Sequence, residues 1–67
     1  MIVNSFYKES ENGNYRADIH KSESGYSIEY YSPTGNKIKN ESFAGKSIHY
    51  VESAALNWIS GIKTLNG

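Results

Sequence analysis

Hydrophobic and polar residues alternate along the first 43 positions, and the period then changes to that of a helix. Turn chemistry cuts the alternation three times, which predicts four strands. The first covers residues 2–9 and ends at Asn12-Gly13, a pair that tolerates the positive φ angles of a tight hairpin. The second covers residues 15–21, with Tyr15, Ala17 and Ile19 on one face and Arg16, Asp18 and His20 on the other. The tetrapeptide "SESG" closes the next turn on Gly25. The third strand, residues 26–32, carries Tyr26, Ile28 and Tyr30 on the apolar side and Ser27, Glu29 and Tyr31 opposite.

The segment "YYSPTGNK" predicts a three-residue hairpin loop. Pro33 pre-sets φ at the first turn position, and Gly35 supplies the left-handed residue that ends such loops. Ser32 then faces Asn36. That register puts Tyr31 beside Lys37, Tyr30 beside Ile38 and Glu29 beside Lys39, so apolar meets apolar and acid meets base. The same exercise at Asn12-Gly13 puts Phe6 opposite Ile19 and Glu9 opposite Arg16. The fourth strand, residues 36–43, has a weaker pattern. Ile38 faces inward, but Asn40 and Ser42 follow it and Phe43 has the other parity, so a bulge or an early strand end is expected. Lys37 and Lys39 discourage edge-to-edge pairing there.

From Ile48 onward, Ile48, Val51, Ala55, Trp58, Ile62 and Leu65 recur at spacings of three and four, and Ile59 widens the stripe. Ser47 is the expected N-cap. Gly61 lies off the stripe and leaves two candidate ends, near Ser60 or at Leu65 before Asn66-Gly67. The helix stripe needs an apolar partner, and the sheet offers one face. The expected fold is α+β: a four-stranded antiparallel β-meander with one C-terminal α-helix packed on one face, a single domain over 1–67. The expected core is Phe6, Tyr15, Ala17, Ile19, Tyr26, Ile28, Tyr30, Ile38, Val51, Ala55, Trp58, Ile59 and Ile62.

Composition narrows the chemistry. The chain has 67 residues, too few for a large core. It has no cysteine, which excludes disulfides and thiolate metal sites within it. Seven basic and seven acidic residues balance, so a broad basic face for nucleic acid is not expected. The segment "MIVNSFYKESENG" lacks a basic region followed by an apolar run, and no stretch approaches a membrane span. A cytoplasmic protein without membrane partners is the expectation. Six Tyr, two Phe and one Trp must supply much of the core.

One helix covers one face, so the other is open. It would carry Val3, Ser5, Tyr7 and Glu9, then Arg16, Asp18 and His20, then Glu29 and Tyr31, then Lys37, Lys39 and Glu41. The plainest reading is a solvated, ion-paired sheet face. The functional reading is a contact surface, because Tyr and Arg dominate interface hot spots. Its candidate residues are Val3, Tyr7, Arg16, His20, Tyr31 and Lys37. Exposed rings on a sheet also suit single-stranded nucleic acid, but acids sit among these rings and the chain has a single arginine. Asp18, His20 and Glu29 share a face, yet a lone histidine with carboxylates lacks any diagnostic metal spacing. No phosphate loop, nucleophile–base pair or paired-carboxylate motif is present, so neither catalysis nor a cofactor is expected.

The features "GYSIEYYSP.G", "GKS", "YVE.AA.NW" and the terminal "LNG" resemble small uncharacterised proteins of tailed phages that infect marine cyanobacteria. The resemblance implies a viral protein made in a host cytoplasm, and it supplies no catalytic residues. The combined expectation is a non-enzymatic interaction protein, a homodimer or a binder of one host protein. Nucleic-acid binding through the open sheet face is the alternative.

Overall fold

The computed structural model describes the backbone of residues 1–11 and 13–65, and side chains among these as far as Gly61. Strands β1 (Ile2–Ser10), β2 (Gly13–Ser22), β3 (Gly25–Tyr31) and β4 (Lys37–Phe43) form one antiparallel sheet in the order β1-β2-β3-β4. Helix α1 (Ile48–Leu65) follows and packs on one face, over β1, β2 and β3. This is the expected ββββα meander. The helix passes Gly61 and reaches Leu65, the later of the two candidate ends. Ile62 and the Asn12 turn position lie outside the described side chains, as do Asn66 and Gly67.

Ser47 caps the helix. Its Oγ accepts the Tyr50 N–H at 3.2 Å and its carbonyl accepts the Val51 N–H at 3.1 Å. These satisfy donors that a helix start leaves orphaned. The apolar stripe then meets the sheet: Ala17, Ile19, Ile28, Tyr30, Val51, Ala55 and Ile59 are buried together. Phe6, Tyr15, Tyr26, Phe43 and Trp58 pack around them, each partly buried. Trp58 is the aromatic keystone, its ring 4.6 Å from that of Tyr30 and 6.0 Å from that of Tyr15.

The Pro33–Gly35 loop forms as its residues dictate. The Ser32 N–H donates to the Asn36 carbonyl at 2.8 Å, the Gly35 N–H to the Ser32 carbonyl at 3.0 Å, and Gly35 has φ +91°. Tyr31 therefore faces Lys37, as expected.

Beyond that pair the register departs from expectation. The ladder shifts by one between Tyr31 and Tyr30, so Tyr30 faces Lys39 and Glu29 faces Asn40. Ile38 is the extra residue, and it is 49 % exposed rather than core. The bulge expected in this strand thus sits at Ile38. It reverses the parity of everything after it. Phe43 turns to the helix side, while Lys39 and Glu41 leave the open face and gather around Tyr30. The Tyr30 hydroxyl, on a residue 1 % exposed, donates to Glu41 Oε1 at 2.7 Å. Without the bulge, Tyr30 would lose that partner and Phe43 would face solvent.

The first hairpin also differs. Ser10 pairs with Gly13, so Phe6 faces Ala17 rather than Ile19, and Glu9 faces Asn14 rather than Arg16. The Ser10 hydroxyl donates to the Gly13 carbonyl at 2.8 Å, closing the turn one residue early. Gly13 has φ +122°, and a Cβ there would sit 3.3 Å from Pro33 of the neighbouring loop. Conformation and space both call for glycine. The slip is by two residues, so each side chain keeps its face.

Candidate functional site

The register places four of the six candidate surface residues in one row. Tyr7 faces Arg16, Arg16 faces Tyr31, and Tyr31 faces Lys37, one residue from each strand across the helix-free face. The slip in the first hairpin is what brings Tyr7 opposite Arg16. A second row runs beside it: Ser5, Asp18, Glu29 and Asn40. His20 belongs to a third row, between Ile2 and Ser27. Val3 is the extra residue of a bulge between Ile2 and Asn4, at the rim rather than within a row.

The acidic row holds the cationic rows down. Asp18 is 3 % exposed although no helix covers this face. Its Oδ1 accepts the Ser5 hydroxyl at 2.8 Å, and its Oδ2 lies 3.0 Å from Arg16 Nε. Glu29 is the second hub. Its Oε1 accepts the Tyr31 hydroxyl at 2.8 Å and lies 3.0 Å from His20 Nε2, while its Oε2 accepts from Lys37 Nζ at 3.0 Å. Arg16 Nε and His20 Nε2 are shielded from water, yet neither makes an aligned hydrogen bond. The Arg16 contact is therefore a Coulombic pair at close range, and the His20 contact is one only when the imidazole is protonated. The Arg16 guanidinium carbon also sits 4.3 Å from the Tyr31 ring centroid, a cation–π contact.

These contacts shift proton affinities in linked directions. The Tyr31 hydroxyl and the Lys37 ammonium donate to Glu29 and hold its carboxyl below the ordinary carboxylate range, with the His20 charge assisting and partial burial opposing. The same hydrogen bonds raise Tyr31 and Lys37 above their ordinary values. On the helix side, burial raises Tyr30, and its bond to Glu41 raises it further.

The sequence named the cationic and aromatic members of this face and missed its anchors. Asp18 and Glu29 looked like solvent-side charges, because alternation reports the face of a residue and not what lies over it. The face is no open apolar patch. Tyr31 is tied down at ring and hydroxyl, whereas Tyr7 is 59 % exposed and makes no polar contact among the described residues. Arg16 and Lys37 side chains remain 40 % and 47 % exposed above carboxylates at 5 % and 23 %. Asp18, His20 and Glu29 do not converge as metal ligands; Asp18 is turned to Arg16 and Ser5. Among the described residues no cluster of three or more such ligands is present. His49 is 91 % exposed on the helix, 3.8 Å from Glu52. No helix among the described residues is long and apolar enough to cross a membrane.

Comparison with known proteins finds no family model, no curated protein and no solved structure that matches the chain.

Proposed function

We propose that this chain is a non-enzymatic interaction protein that contacts another protein through its helix-free sheet face. The observation that carries the reading is the Tyr7–Arg16–Tyr31–Lys37 row. It presents Tyr and Arg, the residues that dominate hot spots, with the Arg rotamer already held by Tyr31 and Asp18. Holding the side chains before binding lowers the ordering cost of association. The outermost groups are cationic and aromatic, and the carboxylates lie beneath them. The partner surface this suits is acidic with an apolar centre. The resemblance to proteins of cyanobacterial phages makes a host protein the partner we favour.

Nucleic acid is the less supported ligand. Each exposed cation of the row already has a carboxylate within 3.0 Å, and the chain carries no net charge. Counterion release from phosphates needs free cations.

Capture from a cyanobacterial lysate tests the reading. Wild type, an Arg16→Glu/Lys37→Glu variant and a helix-side Tyr50→Ser variant are compared, with labelled oligonucleotides titrated at low salt in parallel. Retention of a discrete protein by wild type and Tyr50→Ser, but not by the face variant, supports it. Equal retention by all three, or oligonucleotide binding that outcompetes the protein, overturns it.

A further inference from the structure

The two sheet edges are built differently. β4 carries Lys37 and Lys39 and the bulge at Ile38, all devices that discourage strand addition. β1 has its bulge at one end only, and from Asn4 to Ser10 its register with β2 is unbroken. Seven large apolar residues are exposed among the described residues; four of them, Met1, Ile2, Val3 and Tyr7, are on or next to β1. Leu56 is a fifth, 47 % exposed. It lies one helical turn beyond Glu52, whose carboxylate accepts the Asn4 side-chain amide at 3.0 Å. Leu56 thus overhangs the β1 rim.

The outward backbone groups of β1 can be identified. The Ser5 N–H is satisfied by Asn4 Oδ1 at 2.9 Å, so it points away from β2. Antiparallel ladders alternate. The N–H and C=O of Tyr7 and Glu9 therefore share that outer edge with those of Ser5, and no backbone or side-chain group among the described residues takes up the Tyr7 pair.

We infer that β1 pairs antiparallel with β1 of a second copy, continuing the sheet across a two-fold axis at Phe6. The inference deepens the interaction reading above and rests on it only for the idea that the chain works by contact. Like charges exclude two registers, and among those left the approach of Lys8 to Asn4 and Glu52 selects one. Centring the pair on Lys8 or Glu9 puts each opposite itself, which is destabilising. Centring it on Phe6 puts Ser5 opposite the second copy's Tyr7, and Lys8 opposite its Asn4. The four outward amide and carbonyl sets of Ser5 and Tyr7 then bond across the axis. Ser5 exchanges its Asn4 Oδ1 partner for a carbonyl. Lys8, which has no ion-pair partner within its own chain among the described residues, arrives beside Asn4 and the Glu52 carboxylate behind it. Both helices lie on the same face of the joined sheet, with Leu56 and Phe6 of each copy toward the seam. The Tyr7–Arg16–Tyr31–Lys37 rows remain on the opposite face, now paired.

Sedimentation equilibrium over a concentration series, with amide exchange by NMR, tests this. Wild type is expected to approach twice its protomer mass, with the Tyr7 amide becoming protected as concentration rises. Lys8→Glu is expected to weaken the dimer on the order of tenfold or more, because it sets two carboxylates side by side. Glu52→Lys does the same, and the Lys8→Glu/Glu52→Lys double variant restores association. A wild type that stays monomeric at every concentration overturns the inference, as does a dimer indifferent to both single charge reversals or one in which the Tyr7 amide stays unprotected. The two readings fail separately. A monomer that still captures a partner through Arg16 and Lys37 removes only the dimer, and a dimer that captures nothing removes only the partner.

Discussion

Arg16 and Tyr31 face each other across the β2–β3 ladder, and the guanidinium carbon stands 4.3 Å from the tyrosine ring centroid. Arg16 also pairs with Asp18 beneath it, and Tyr31 with Glu29. Through that one contact the two buried or half-buried acids of the helix-free face belong to a single network. The face is ordered by polar contacts while the opposite face is ordered by the core.

Removing Arg16 tests the network's grip on stability. Arg16→Ala leaves the Asp18 carboxylate shielded with only the Ser5 hydroxyl, so the variant should lose about 1–3 kcal/mol. Asp18→Ala added to Arg16→Ala should recover part of that loss, since the stranded charge is then gone. Urea unfolding of the four proteins of this cycle gives the coupling. Strict additivity would contradict the pairing.

The core makes a larger demand. Trp58→Ala removes the ring that packs against Tyr30 and Tyr15, at a cost of about 3–5 kcal/mol. In a domain of 67 residues that approaches the whole folding free energy. Circular dichroism should show a large fall in melting temperature, and an unchanged one would contradict the packing of α1 on the sheet.

Ile38 should behave as a surface residue despite its identity. Ile38→Thr is expected to change stability by no more than about 0.5 kcal/mol, because the side chain sits in the bulge and is half exposed. Phe43→Ala, by contrast, should destabilise clearly, because the bulge turns Phe43 toward the core. The opposite ranking in a thermal melt would restore an unbulged strand.

Stability should fall at both pH extremes, for opposite reasons. Glu29 is depressed in the folded state. Its contribution is complete above the ordinary carboxylate value of about 4.3 and is lost as pH drops through the lowered one. Tyr30, Tyr31 and Lys37 are raised. Their contributions are complete below about pH 10 and are lost as pH climbs through the folded values. Glu29→Gln should flatten the acid limb, and Tyr30→Phe the alkaline one. Denaturation midpoints measured across pH check both signs.

Local chemistry was legible in the sequence, and cross-strand detail less so. The Pro33–Gly35 loop, the Ser47 cap and the helical stripe as far as Ile59 each follow from a few adjacent residues, and each forms as read. The β1–β2 register was misread because a slip of two preserves every face: Phe6 meets an apolar partner at Ala17 or at Ile19 alike. Ile38 was misplaced because its side chain argues for the core. The signal against it lay five residues on and one strand away, in Phe43's parity and in the need of buried Tyr30 for Glu41. Asp18 was named for the right face, but its burial depends on Arg16 and Ser5, and Ser5 belongs to another strand.

The proposal that the helix-free face is the contact surface meets its sharpest test in chemical-shift mapping. Isotope-labelled protein is titrated with the host protein that wild type retains. The account predicts that the shifts concentrate on Tyr7, Arg16, His20, Tyr31 and Lys37, with α1 unmoved. Shifts confined to the outer helix face around His49, Ser53 and Asn57, with that row silent, would contradict it.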